Sequence, residues 1–210
     1  MATLPFSPAA DRNKQPILEA LRELLPARGR ALEIASGTGQ HAAWLGAGLP
    51  GWEWQPTEAN STALPTIAAW VRQAGASNVR PPCLLDVMEP QWPSDEETLA
   101  SAFARPFDAI FCANMLHISP WAACKALMQG AQRHLAADSG LLLIYGPFLE
   151  HGVPTSPGNR DFDASLRTQN PVWGLRQREA VEEEATRCGL RLRQRLAMPA
   201  NNLLLVFGFH

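Results

Sequence analysis

Residues 32–44 read LEIASGTGQHAAW. Ala31–Ala35 has the look of a short buried strand that runs into a glycine turn, and His41–Gly46 that of an opening helix. Gly37, Gly39 and Ala42 stand at the G-x-G-x-x-G/A spacing between the two. In that pattern the first glycine permits a tight turn, the second lets backbone approach a ligand, and a small third residue lets the helix pack closely. Glu58 follows the next predicted strand, Trp52–Gln55, at the place where an acid grips ribose hydroxyls.

Outward from this segment, strand and helix alternate. Upstream, Ile17, Leu18, Leu21, Leu24 and Leu25 give a helix over Asn13 to Leu25, with Pro16 tolerated in a first turn and Pro26 and Gly29 stopping it. Downstream, Thr62–Ala74 reads as a helix closed by Gly75, Val79–Leu85 as a strand, Ser94–Phe103 as helical and Phe107–Ala113 as a strand. Trp121–Leu135 carries a helical apolar face, and Gly140–Tyr145 is a fifth strand. Five such alternations specify a parallel sheet covered by helices on both faces. After Tyr145 the period is lost: residues 146–175 are rich in Gly, Pro, Asn and Asp, and a segment of this length reads as a lid or substrate segment. Arg176–Cys188 resumes as a helix whose Glu182, Glu183 and Glu184 form a solvated face. Leu190–Leu196 and Leu203–Phe209 then pair as an antiparallel hairpin around the turn at Met198–Asn202. The expectation is one domain over 1–210, Rossmann-like, seven-stranded and mostly parallel with an antiparallel last strand.

Composition removes several function classes. With 46% apolar residues and 18% charged, most of the chain folds. No apolar run reaches membrane-spanning length, and the first residues lack a secretory pattern. A net charge of −2 with scattered basic residues gives no electrostatic footprint for nucleic acid. Cys83, Cys112, Cys124 and Cys188 form no CxxC pair, so reduced thiols in a cytoplasmic protein are expected, with no disulfide or metal framework. Trp44, Trp52, Trp54, Trp70 and Trp121 suit core or helix–sheet packing; Trp173 suits a pocket wall.

Two ligand classes share the glycine-turn geometry, dinucleotides and S-adenosylmethionine. Glu33, four residues before Gly37, puts a carboxylate where it attracts an ammonium group and repels a pyrophosphate. Asp86 ends the third strand as an acceptor for an adenine amino group or as a simple turn acid. A short-chain dehydrogenase needs Tyr-x-x-x-Lys, but Leu149 stands four residues beyond the lone Tyr145. With these acids the chain resembles the class I S-adenosylmethionine-dependent methyltransferases. More narrowly it is similar to the methyltransferase-like protein 26 family through RNKQPIL at 12–18, LEIASGTGQHA at 32–42, WQP at 54–56 and NMLHISPW at 114–121. YGPF at 145–148, FDASLR at 162–167, WGLR at 173–176 and MPANN at 198–202 continue it. One departure is Thr57–Glu58, where that group more commonly has Ser-Asp. The resemblance implies the seven-stranded methyltransferase fold and S-adenosylmethionine as cofactor, and places Glu33, Ala35, Gly37, Thr38, Gly39, Gln40, His41, Glu58, Asp86, Val87, Asn114 and Met115 around it.

The acceptor side is less defined. His117 is the best-placed general base, or a hydrogen-bonded structural histidine. The Asn/Asp-Pro-Pro-Tyr motif of amino-methylating nucleic-acid enzymes is absent from 114–117, which favours a small-molecule acceptor. Arg12, Asn13 and Lys14 precede the first predicted helix and either fold over the site or form a solvated helix start. Tyr145, Asp161, Asp163, Arg167, Trp173, Arg176 and Asn201 are the remaining substrate candidates; the Asp and Arg residues serve equally as a substrate clamp or a structural cap. A cofactor-binding module without catalysis and a nicotinamide-dependent oxidoreductase are the competing functions.

Overall fold

The computed structural model describes residues 3–93 and 96–209. The strands are β1 Gly29–Ile34, β2 Trp52–Glu58, β3 Cys83–Leu84, β4 Ala109–Ala113, β5 Leu141–Leu149, β6 Arg176–Gln177, β7 Leu190–Met198 and β8 Asn202–Phe209. The helices are α1 Pro8–Leu24, α2 Gln40–Gly48, α3 Leu64–Ala74, α4 Glu96–Ala102, α5 Ala122–His134, α6 Pro157–Gln169 and α7 Arg178–Arg187. The sheet order is β3-β2-β1-β4-β5-β8-β7, with β6 beside β5. This is the expected mixed α/β sheet, parallel except for β8, with one short strand more than the seven anticipated. Its chain falls into two compact units, one up to Ile110 and one from Phe111.

In the first unit β1 and β2 pair in parallel from Gly29↔Trp52 to Glu33↔Pro56. The last four residues of β1 are buried, as a strand covered on both faces requires. α1 begins five residues earlier than its apolar period suggests. Ser7 caps it by accepting from the Ala10 amide, and Pro8 occupies the first turn. Arg12, Asn13 and Lys14 therefore lie inside the helix, not ahead of it, and Pro16 is an interior residue. α3 stops as expected at Gly75, which is left-handed (φ +65°). The third strand is much shorter than Val79–Leu85: Val79 makes an isolated bridge to Trp54, and Pro81 and Pro82 then offer no N–H to a ladder. α4 covers most of the helical stretch foreseen at Ser94–Phe103; Ser94 itself lies outside the described residues. Trp52, Trp54 and Trp92 fill the core, whereas Trp44 is 39% exposed under the ammonium of Lys14.

In the second unit β8 runs antiparallel to both neighbours, from Leu141↔Gly208 to Pro147↔Asn202 and from Leu190↔Phe209 to Met198↔Asn202. β5 continues four residues past Tyr145, and α6 occupies the middle of the segment read as aperiodic. A polar helix face hid α6, which buries only Asn159 and Leu166. Glu184 is likewise not a solvated residue, being 8% exposed and paired with Arg187 at 2.5 Å. Trp121 is partly exposed, with the Arg176 guanidinium 5.8 Å from its ring.

Candidate functional site

The glycine turn leaves β1 through Ala35 (φ +55°), Gly37 (φ +57°) and Gly39 (φ +88°), the last capping α2. The two glycines meet different surroundings. A Cβ on Gly39 would lie 2.6 Å from the Ile67 Cα, so this glycine permits α3 to pack. A Cβ on Gly37 would meet nothing within 4 Å, so it is Gly37 that leaves open room over the turn. Ala35 in a left-handed conformation is strained without being glycine, and it sets the sharpness of the exit from β1.

Glu58 ends β2 and stitches the turn together. Its Oε2 accepts the Gly37 amide at 2.9 Å, and Oε1 accepts those of Ala59 and Asn60 at 2.9 and 3.2 Å. The carboxylate is thus held at the mouth of the turn without an arginine or lysine. Glu33 sits deeper, 1% exposed, with its Oε2 accepting from Trp54 Nε1 at 2.6 Å. Burial lifts its carboxyl to about 7, and the nearby Glu58 charge adds to the rise. Gln40 and His41 are buried against α1: Gln40 Oε1 accepts the Ser7 amide at 2.5 Å and the Thr38 hydroxyl at 3.0 Å. His41 Nε2 meets Asn13 Oδ1 at 2.6 Å, and burial lowers its pKa to about 4. Lys14 pairs with Asp11 at 2.5 Å, and Arg12 is exposed. Asp86 is exposed, with Oδ1 accepting the Met88 amide at 2.9 Å, while Val87 is buried.

In the second unit Asn114 adopts φ +61°, its amide donating to the Tyr145 carbonyl at 2.8 Å. Met115 is buried, and His117 follows in a single 3₁₀ turn, 5% exposed. A Cβ on Gly146 would lie in ordinary contact, 3.5 Å, with His117 Nδ1, so Gly146 packs against the imidazole. Phe162 presents its ring edge-on to His117 at 5.4 Å, a contact the sequence reading missed. Burial, aided by the Arg176 charge, lowers the His117 pKa to about 4, so the ring is neutral at pH 7.

The polar residues of 146–176 are spent on backbone. Arg176 donates to the carbonyls of Leu116, Ser119 and Val172 at 2.9, 2.6 and 2.8 Å, and the Gly174 amide donates to the His117 carbonyl at 2.9 Å. Asp163 accepts the Leu175 amide at 2.6 Å and pairs with Arg167 at 2.9 Å, both lying against Gly174. Asn201, itself left-handed, accepts the Ser156 amide and the Asn159 side chain at 3.2 Å. Asp161 is exposed, Trp173 half-buried and Tyr145 buried. These bonds tie residues 163–176 to the His117 turn. Among the described residues no group of three or more acids, histidines or cysteines is placed to hold a metal. None of the described helices is long and apolar enough to cross a membrane.

The sheet order, with β8 antiparallel between β5 and β7, is also the fold of solved methyltransferase structures. The mitomycin 7-O-methyltransferase MmcR superposes with a TM-score of 0.78 at 14% identity, over 96% of this chain and 54% of that one. CalO1, a methyltransferase in calicheamicin biosynthesis in its SAH-bound form, gives 0.72 at 14%, over 96% and 55%. The S-adenosylmethionine-dependent methyltransferase SibL gives 0.74 at 18%, again over 96% and 55%. The chain spans little more than half the length of these proteins. Residues 4–208 match the model of the family described as protein of unknown function (DUF938), and the chain belongs to that family.

Proposed function

We propose that the protein is an S-adenosylmethionine-dependent methyltransferase acting on a hydroxyl group of a small molecule. The observation that carries this reading is the turn at Ala35–Gly39, open above Gly37 and closed by the Glu58 carboxylate. That geometry fits the cofactor: a Cβ at Gly37 would fill the cradle, and Glu58 offers acceptor lone pairs to ribose hydroxyls. The motif resemblance to the methyltransferase-like protein 26 family and the fold of the mitomycin, calicheamicin and SibL enzymes support the same reading. When bound, the cofactor supplies an electrophilic methyl group on a sulfonium.

The chain's own residues bind and position. Glu58 would hold the ribose, Asp86 and Val87 the adenine, and Glu33 the methionine end. A hydroxyl must lose its proton as it is methylated, and His117 is the group for this. Its depressed pKa keeps the ring unprotonated throughout the physiological range, which leaves a lone pair to orient the hydroxyl but makes the imidazole a weaker base than an exposed one. The cap formed by α6 and residues 170–176 fixes that ring and keeps water from it, which is positioning and exclusion rather than covalent chemistry.

Calorimetry with S-adenosylmethionine and S-adenosylhomocysteine tests the site, and transfer of labelled methyl to panels of small phenols, alcohols, thiols and amines tests the reaction. Micromolar binding with transfer to a hydroxyl is expected. Binding without transfer to any panel member favours the catalytically silent module, and binding of a nicotinamide dinucleotide instead overturns the assignment.

A further inference from the structure

We infer that cofactor binding releases a proton from Glu33, so that the affinity of the glycine-turn site follows pH. The inference rests on the methyltransferase reading and extends it to regulation of the same site. Glu33 lies two residues before the left-handed Ala35 and is sealed from solvent, with Trp54 Nε1 donating to its carboxylate. Its register partner on β2 is Pro56, which has no N–H to offer. The Thr57 hydroxyl, close by, donates to the Glu33 backbone carbonyl at 2.7 Å and is not spent on the carboxylate.

The charges around it give no relief. Glu58, from the end of β2, is a second carboxylate and opposes ionisation. Glu53, at the far end of β2, is paired with Arg30 at 2.8 Å. β4 carries no charged residue over Ala109–Ala113, α2 contributes only His41, held neutral by burial, and α3 only Arg72 in its last turn. Lys14 of α1 is engaged by Asp11. Among the described residues no cation pairs with Glu33, which is why burial holds its carboxyl near 7.

An ammonium group brought against this carboxyl supplies the missing cation. The step balances simply: the Glu33 carboxylic acid and the ligand ammonium become a carboxylate–ammonium pair, and one proton passes to bulk solvent. No bond other than the O–H of Glu33 is broken. Well above pH 7 the carboxylate is already ionised and almost nothing is released.

The test is calorimetric titration with S-adenosylhomocysteine at pH 6, 7 and 8, each in two buffers of different ionisation heat, on the wild type and Glu33→Gln. A second ligand, 5′-methylthioadenosine, lacks the amino-acid end. The wild type is expected to release about one proton at pH 6, about half at pH 7 and close to none at pH 8, with affinity rising roughly fivefold from pH 6 to 7 and about twofold from pH 7 to 8. Glu33→Gln should lose that proton and the pH dependence, and 5′-methylthioadenosine should show neither in either protein. An equal proton count in Glu33→Gln, or a pH-independent wild-type affinity, overturns the inference while leaving the binding site standing. Absence of binding by both ligands at every pH refutes the methyltransferase reading and the proton linkage with it.

Discussion

Replacing Glu33 by Gln should stabilise the protein, and only above a defined pH. Gln keeps the volume of the side chain and an oxygen for the Trp54 indole, but carries no charge. In the wild type the carboxyl is raised from 4.5 to about 7 by burial. The folded state therefore binds the Glu33 proton more tightly than the unfolded chain does. Its stabilising effect is fully present below pH 4.5 and is lost as pH rises toward and through 7, where a bare carboxylate is left in the core. A rise of this size corresponds to about 3 kcal/mol. Urea melts of both proteins at pH 4.5, 6, 7 and 8 read the difference directly. Glu33→Gln should match the wild type at pH 4.5 and exceed it by about 3 kcal/mol at pH 8. His41 and His117, with lowered pKa values, weaken the fold as pH falls below their usual 6.5, but they do so in both proteins and cancel in the comparison. A difference that stays flat over the window, or a wild type that gains on the variant as pH rises, would refute the account of Glu33 as a buried, unpaired acid.

The glycine turn gives a paired expectation. Gly39→Val should destabilise the fold by several kcal/mol, roughly the cost of overpacking plus left-handed strain, whereas Gly37→Ala should cost only about 1–2 kcal/mol yet weaken cofactor binding about tenfold or more; melting curves and calorimetry that rank the two alike would undo the division of labour. Asp163→Ala should lower stability by about 1–3 kcal/mol through the lost Leu175 contact, and a variant with unchanged melting but abolished transfer would restore the substrate-clamp reading. The His117 ring should titrate near 4 by NMR, two units or so below an exposed histidine, and His117→Gln should cut the rate of methyl transfer without changing cofactor affinity. A ring that titrates near its ordinary value would mean that His117 is solvated and that the cap does not seal it.

Much of this arrangement is legible in the residues because it depends on local signals. The strand before Gly37, the Gly75 stop and the last hairpin follow from periodicity and glycine conformation. What periodicity misreads is structure whose reason lies elsewhere in the chain. α1 starts at Pro8 because Ser7 caps it, although residues 8–16 bury almost nothing apolar. α6 is a helix because Ser156, Asn159 and Asp163 are tied to Asn201 and Leu175, contacts that span more than ten residues and leave no apolar stripe. The site shows the same division. Glu33 and Glu58 are visible as acids at strand ends, but that Glu33 is buried against Trp54 depends on strand register. The Phe162 edge at His117 and the packing of Gly146 beside it depend on contacts that no spacing encodes. The close approach of Gly39 to Ile67 is likewise set by where α3 packs, which the motif alone does not say.

The position of β8 bears on how the protein is made. β5 is complete by Leu149, yet its antiparallel neighbour begins only at Asn202, and β7 depends on that same strand. During synthesis, the apolar edge of β5, with Leu142, Leu143 and Ile144, must wait until the ribosome has delivered the Leu203–Phe207 run. Until then the second unit has an unpaired, hydrophobic strand edge of the kind that recruits chaperones or mispairs with another nascent chain. A nonsense codon at 202–204 would leave that edge open for good, so such a truncation should yield aggregate rather than a slightly shortened protein.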